Sequence, residues 1–262
     1  MKIFTAVFLT FILILCVTEL LAQEPDSVIG IDEKLGSYVP VDLTFQDENN
    51  KTVTLKEVVN NKPAILTLVY YRCPSICNPL MGGLVETLDE IRLNPSDYSV
   101  ITISFDPLDK PEDSKNKKKN FLNSFKKPFP EGTWRFLTGT QENINKITDA
   151  VGFKYKQEGT EYLHPAGLTV LSPDGKITRY LYGIYFLPFD LEMALTEAAK
   201  GTVGTPVTRA ISYCFVYNPG GKKYILDITR ISAVITLILV LIILSYIFLY
   251  KKKMKGTENA GK

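Results

Sequence analysis

The stretch "KPAILTLVYY" (62–71) carries one charge, at its first residue, and then runs apolar for the length of a strand. It shows no alternation of apolar and polar residues. Such a run fits a strand covered on both faces, in the middle of a sheet with a layer packed on either side. "YYRCPSICNPLMGG" (70–83) continues from it and places Cys73 and Cys77 four residues apart at the strand's end.

The rest of the chain supplies elements for such a sheet. "YVPVDLTFQDENNKTVTLKEVV" alternates around "DENNK" and reads as a β-hairpin. From Pro79 onward, Leu80, Leu84, Leu88 and Ile91 recur at helical spacing. "YSVITISFD" and "TWRFLTG" read as strands, "DKPEDSKNKKKNFLNSFKK" as a charged, exposed helix, and "TQENINKITDAVG" as a helix capped by Thr140. "AGLTVLSPDGKITRYLYG" is a hairpin around Pro-Asp-Gly, followed by the closing helix "FDLEMALTEAAKG" and the hairpin "SYCFVYNPGGKKYIL". This order predicts an α/β chain, a mixed sheet flanked by helices. A cysteine pair where the first central strand meets its helix is where a thioredoxin-like fold keeps its active site. There the helix N-terminus favours thiolate over thiol.

Both ends are apolar. "MKIFTAVFLTFILILCVTELLAQEP" has the pattern of a secretory signal peptide, with cleavage expected after Ala22 and Cys16 lost with it. "ISAVITLILVLIILSYIFLY" (231–250) is twenty residues without a charge, enough for a helix to cross about 30 Å of hydrocarbon. The "KKKMK" beyond it predicts a cytoplasmic C-terminus and an extracytoplasmic (periplasmic) domain on a single-pass anchor in the cell membrane. The expected layout is a signal over 1–22, a flexible lead-in over 23–37 and a domain over 38–201. Beyond the domain come a hairpin and membrane-proximal segment over 202–229, a transmembrane helix over 230–250 and a basic tail over 251–262. Of the chain's net charge of +2, the last twelve residues hold five lysines and one glutamate, and residues 1–22 balance. Residues 23–250 therefore carry −2, a composition that offers nothing to nucleic acid.

With the signal removed, Cys73, Cys77 and Cys214 remain. An odd count in an oxidising compartment points to a free or functional thiol. Residues i and i+4 of a helix share a face, so the pair can form a structural bridge, a redox couple or two soft metal ligands. A bridge across so short a loop stabilises little. Cys214, in a strand, reads as a buried small apolar residue. The chain has one histidine, His164, in "EYLHPAGLTVLS". In a thioredoxin-like sheet the loop before this hairpin faces the cysteine helix. Cys73, Cys77 and His164 would then supply two thiolates and one imidazole, a set that suits copper, Cu(I) or Cu(II). Zinc usually takes a fourth protein ligand or a water.

Three motifs, "YYRCPSICNPLMGGL", "ISFDPLDKPED" and "LHPAGLTVLSPDGKITRYLYG", resemble the Sco/SenC family of copper chaperones and stand in the family's order. The resemblance implies a thioredoxin-like fold. It also implies copper held by Cys73, Cys77 and His164, and delivery to the CuA centre of cytochrome c oxidase subunit II or a related copper oxidase. It departs from the family pattern at Asn78, where proline usually follows the second cysteine, at Pro165 after the histidine, and in carrying its span at the C-terminus. Asp106 matches the family's Asp-Pro motif, as an outer support of the site or a turn former. The competing reading is a membrane-tethered thiol-disulfide oxidoreductase with Cys73 and Cys77 as its redox pair, reducing the apo CuA cysteines and served by a thiol reductase. A peroxidase reading ranks lower, because "ILTLVYYRC" lacks the proline of a peroxidatic motif.

Overall fold

The computed structural model describes residues 29–204, 215–218 and 223–226, together with residues 236, 239–241, 243 and 244. The chain divides into two units, 1–203 and 204–262.

In the first unit the elements run β1 (Gly30–Ile31), β2 (Thr44–Asp47), β3 (Thr52–Thr54), α1 (Leu55–Val59), β4 (Ala64–Val69), α2 (Cys77–Glu90) and β5 (Ser99–Ser104). They continue with α3 (Pro111–Leu122), β6 (Trp134–Thr138), α4 (Gln141–Ala150), β7 (Phe153–Lys154), β8 (Lys156–Glu158) and β9 (Glu161–Leu163). β10 (Gly167–Leu171), β11 (Ile177–Tyr182) and α5 (Pro188–Ala199) complete it. Seven strands form one sheet in the order β11-β10-β4-β5-β6-β2-β3. The three central strands β4, β5 and β6 are parallel, and β10, β11, β2 and β3 are antiparallel to their neighbours. This is a mixed, thioredoxin-like α/β sheet, with every residue of β4 and β5 buried.

Two strand pairings bring distant loops to one edge of the sheet. β4 and β5 are paired in register, Ala64 with Ser99 through Val69 with Ser104, so their C-terminal ends lie side by side. The loops after them leave the sheet at one edge, where sites gather in open α/β sheets. β10 runs antiparallel to β4, with Thr169 opposite Leu66 and Leu171 opposite Ala64. The chain entering β10 therefore arrives at the edge from which β4 departs.

Side-chain chemistry explains several local choices. The hairpin read over 38–59 ends at Thr54, and residues 55–59 are helical. Thr54 caps α1 by accepting from the Glu57 amide while the Glu57 carboxylate accepts from the Thr54 amide. The pattern Thr-x-x-Glu was the available signal. α2 starts at Cys77, two residues before Pro79, and runs through Gly82 and Gly83. Gly83 is there because a Cβ on it would lie 1.9 Å from the Ile184 carbonyl oxygen. Residues 29–37, expected to belong to the flexible lead-in, are instead docked. β1 pairs with β7, the Gly36 amide donates to the Ile177 carbonyl, and the Ile177 amide donates to the Ser37 carbonyl. The polar composition of this segment concealed that its backbone groups complete the free edge of β11.

In the second unit β12 (Phe215–Asn218) and β13 (Lys223–Leu226) pair antiparallel, as the Asn-Pro-Gly-Gly turn predicts, and the described residues among 236–244 are helical. Among the described residues no helix is long and apolar enough to cross a membrane. The span expected over 230–250 lies mostly outside them, as do the signal over 1–22, Cys214 and the tail over 251–262.

The two adjacent glycines of α2 give opposite expectations. Gly83→Ala drives a methyl into backbone and should destabilise the domain by about 2–3 kcal/mol, at the upper end of overpacking costs. Gly82 has nothing within 4 Å of a built Cβ. Gly82→Ala should stabilise by about 0.5–1 kcal/mol through helix propensity alone. Urea unfolding of the two variants checks both signs.

Candidate metal and redox centre

Cys73 lies in the turn after β4, with its amide donating to the Tyr70 carbonyl at 3.2 Å. Cys77 is the first residue of α2, whose N-cap Ile76 has no capping side chain and whose first turn holds no acid. The free N–H groups of that turn make it a favourable place for a thiolate. Both thiols are free and buried. His164 comes after β9 and before β10, half-buried. The antiparallel pairing of β10 with β4 carries it to the cysteines. Its Nε2 lies 3.4 Å from Cys77 Sγ, and the ligand atoms of Cys73, Cys77 and His164 all lie within 4.8 Å of one another. The three residues singled out in the sequence thus come together.

The imidazole is oriented before any ligand arrives. Its Nδ1 lies 2.9 Å from the Pro165 carbonyl oxygen, which can only accept. Nδ1 therefore carries a proton, and that hydrogen bond turns Nε2 toward the sulfurs. Aromatic rings wall the histidine: Phe105 at 5.1 Å, Tyr70 at 5.8 Å and Phe153 at 6.1 Å between ring centroids. They pack against the ring and hold it in place.

The two thiols are unequal. A hydrogen bond from Cys77 lowers the Cys73 pKa to about 3 against the opposing effect of burial, and His164 adds to the lowering. Cys77 moves the other way, because its proton is held by Cys73 and burial disfavours its charge. The pair thus shares one proton, as adjacent acids do, with the thiolate on Cys73. Burial, then the hydrogen bond with Cys73, pushes Tyr70 up to about 12, so its phenol stays protonated.

Asp106 lies in the loop after β5 and forms the turn expected of it. Its Oδ1 accepts from the Leu108 amide at 2.9 Å, as in an Asx turn, and its Oδ2 pairs with Arg72 Nη2 at 2.8 Å. Sequence reasoning missed Asp109, which accepts from the Tyr71 amide at 2.6 Å, Ser104 Oγ at 2.6 Å and Arg72 Nε at 2.9 Å. Its only sign was spacing, three residues beyond Asp106. The β8–β9 hairpin that leads into His164 was also missed. Its residues "KQEGTEYL" lack an apolar face, and it pairs only with itself. Asn78, in place of the usual proline, accepts from Lys117 Nζ at 2.7 Å and so ties α2 to α3.

Residue-specific alkylation tests the inequality of the thiols. In the metal-free reduced chain the thiolate of Cys73 persists below the ordinary thiol range. Its reaction with iodoacetamide should therefore stay level from about pH 8 to pH 6, where an ordinary thiol of pKa about 8.5 slows steeply. Cys77→Ala removes the largest of the lowering hydrogen bonds and should move the slope toward the ordinary one, read by mass spectrometry of the Cys73 peptide.

Comparison with known proteins agrees with this geometry. The family model described as SCO1/SenC matches residues 33–185. An SCO1 protein homolog of Bacillus subtilis is 26% identical over 159 residues, covering 59% of this chain and 79% of its own. Among solved structures, a putative electron transfer protein of Aquifex aeolicus superposes with a TM-score of 0.58 at 30% identity, covering 64% of this chain and 95% of that one. Arabidopsis thaliana ScoI with copper bound superposes at 0.50 and 21% identity, covering 67% and 99%, a likeness of fold. With the family model spanning more than half of its length, the chain belongs to the SCO1/SenC family.

Proposed function

We propose that this chain is a copper carrier of the cell envelope, holding copper on Cys73, Cys77 and His164 and passing it to the CuA centre of cytochrome c oxidase or a related copper oxidase. The observation that carries the reading is the convergence of two sulfurs and one imidazole nitrogen within 4.8 Å. Copper here is cargo, and the donor set fits it. Thiolates suit Cu(I), and imidazole suits Cu(II) as well. The buried, aromatic-walled setting favours a cation that neutralises thiolate charge. Two thiolates and a neutral imidazole also leave the ion open to a fourth ligand, which a receiving protein's own thiolate or imidazole could provide.

The thiol inequality supports a second reading, a thiol-disulfide oxidoreductase acting on the apo CuA cysteines. A thiolate at Cys73 is a nucleophile, and a protonated Cys77 beside it can resolve a mixed disulfide. The same pair could serve both roles, because it must be reduced before it binds metal. For placement we keep the signal over 1–22, the span over 230–250 and a cytoplasmic C-terminus. The apolar length of the span and the lysines after it support them.

Anaerobic titration of the reduced full-length chain should find one copper per chain. His164→Ala should leave Cu(I) on the two thiolates. It should weaken Cu(II) by more than the roughly 10–100-fold that loss of an outer support costs, and bleach the sulfur-to-Cu(II) absorption. An unchanged band and affinity would remove His164 from the ligand set and put the oxidoreductase reading first. Reporters fused after Lys262 should be active only as cytoplasmic reporters. Activity of an exported-type reporter there would reverse the orientation.

A further inference from the structure

Arg72 precedes Cys73 directly, and its guanidinium spans two carboxylates. Nη2 lies 2.8 Å from Asp106 Oδ2 and Nε lies 2.9 Å from Asp109 Oδ1. The arginine side chain is 53% exposed, whereas those of Asp106 and Asp109 are 6% and 0% exposed. An exposed cation is thus committed to two buried anions, which without it would face each other with no countercharge. Asp109 also accepts from the Tyr71 amide, so it grips the backbone one residue before Arg72 and the side chain of Arg72 itself. Asp106 reaches the other arm of the site. Its Oδ1 accepts from the Tyr162 hydroxyl at 3.4 Å, and Tyr162 lies two residues before His164.

The clamp therefore touches the chain next to Cys73 on one side and next to His164 on the other. Buried rings anchor each arm, Tyr71 by donating to the Leu137 carbonyl at 2.8 Å and Tyr162 by packing on Tyr70 and Phe105, but the clamp ties the one to the other. The turn at 70–73 has one local backbone hydrogen bond, and the β8–β9 hairpin pairs only with itself. Phe105, immediately before Asp106, packs against both Tyr162 and His164. We propose that Arg72 is a positioning residue that braces the Cys73 turn against the His164 hairpin through Asp106 and Asp109, and so sets the distance between the thiolate and the imidazole. The proposal rests on the reading of Cys73, Cys77 and His164 as one site. Arginine suits the task because its rigid fork addresses two carboxylates at once. Lysine would neutralise them but could hold only one firmly.

The test compares Arg72→Lys and Arg72→Gln with the unaltered full-length chain. Copper(II) affinity should fall about 10–100-fold in both, as for loss of an outer-shell support, and the sulfur-to-Cu(II) band should shift. Without metal, the equilibrium of Cys73 and Cys77 with a glutathione buffer should move by about tenfold, because it depends on how one thiol is presented to the other. That exchange consumes one oxidised glutathione and releases two reduced ones per disulfide formed. Thermal unfolding, run in parallel, identifies a purely structural role, which would lower the melting temperature and leave band and equilibrium in place. A folded Arg72→Lys with the unaltered band and glutathione equilibrium overturns the proposal, whatever Arg72→Gln does. If the unaltered chain binds no copper, the carrier reading fails by itself, and the glutathione equilibrium of Arg72→Lys still decides for or against the brace.

Discussion

The site depends on one pairing in the sheet. β10 lies antiparallel to β4, so a chain that leaves the sheet at Val69 meets a chain that enters it at Gly167. Cys73 and His164 are ninety-one residues apart in sequence and come together only because those two strands share an edge. Every residue of β4 and of β10 is buried, and that burial fixes the register, since a slip of one residue would turn each side chain to the opposite face. The large apolar interior thus acts on the chemistry through geometry. It holds two strands, and the strands deliver a thiol and an imidazole to one place.

What the sheet does not fix is supplied by polar groups at its edge. Cys77 is held by α2, and α2 is seated closely enough that Gly83 meets the Ile184 carbonyl without room for a methyl. The Cys73 turn and the His164 hairpin are anchored by buried or partly buried rings, Tyr70, Tyr71 and Tyr162, and the two are joined to each other through Asp106, Asp109 and Arg72. These carboxylates are costly to bury, and several donors offset the cost of each: three for Asp109 and three for Asp106. A fully satisfied polar network of this kind holds one arrangement, which a merely apolar contact would not specify.

Much of this was legible in the sequence, and what was not failed for identifiable reasons. The buried strand, the helix after the cysteines and the Pro-Asp-Gly hairpin were readable because period and turn chemistry agree there. Cys73, Cys77 and His164 were readable because few residue types can do their chemistry, and this chain has few of them. The β8–β9 hairpin was invisible because its stability does not come from a buried face, so no alternation marks it. Asp109 was invisible because a carboxylate three residues after an Asp-Pro turn looks like any polar loop residue. Its partners, the Tyr71 amide and Ser104, are defined only once β4 and β5 are placed side by side. The docking of residues 29–37 was hidden for the same reason, since it uses backbone groups, which every sequence has.

The asymmetry of the two thiols bears on both proposed activities. A shared proton leaves Cys73 as the nucleophile and keeps Cys77 protonated until Cys73 is engaged, which suits disulfide exchange. Metal binding needs both sulfurs deprotonated, so uptake must release the proton that Cys77 holds. Copper binding to this set should therefore release about one proton from the thiol pair, because Cys73 is already a thiolate. An ordinary pair of thiols would release about two. A site so arranged separates its roles: Cys73 is ready to attack or to bind, His164 is ready to bind, and Cys77 commits only when something displaces its proton.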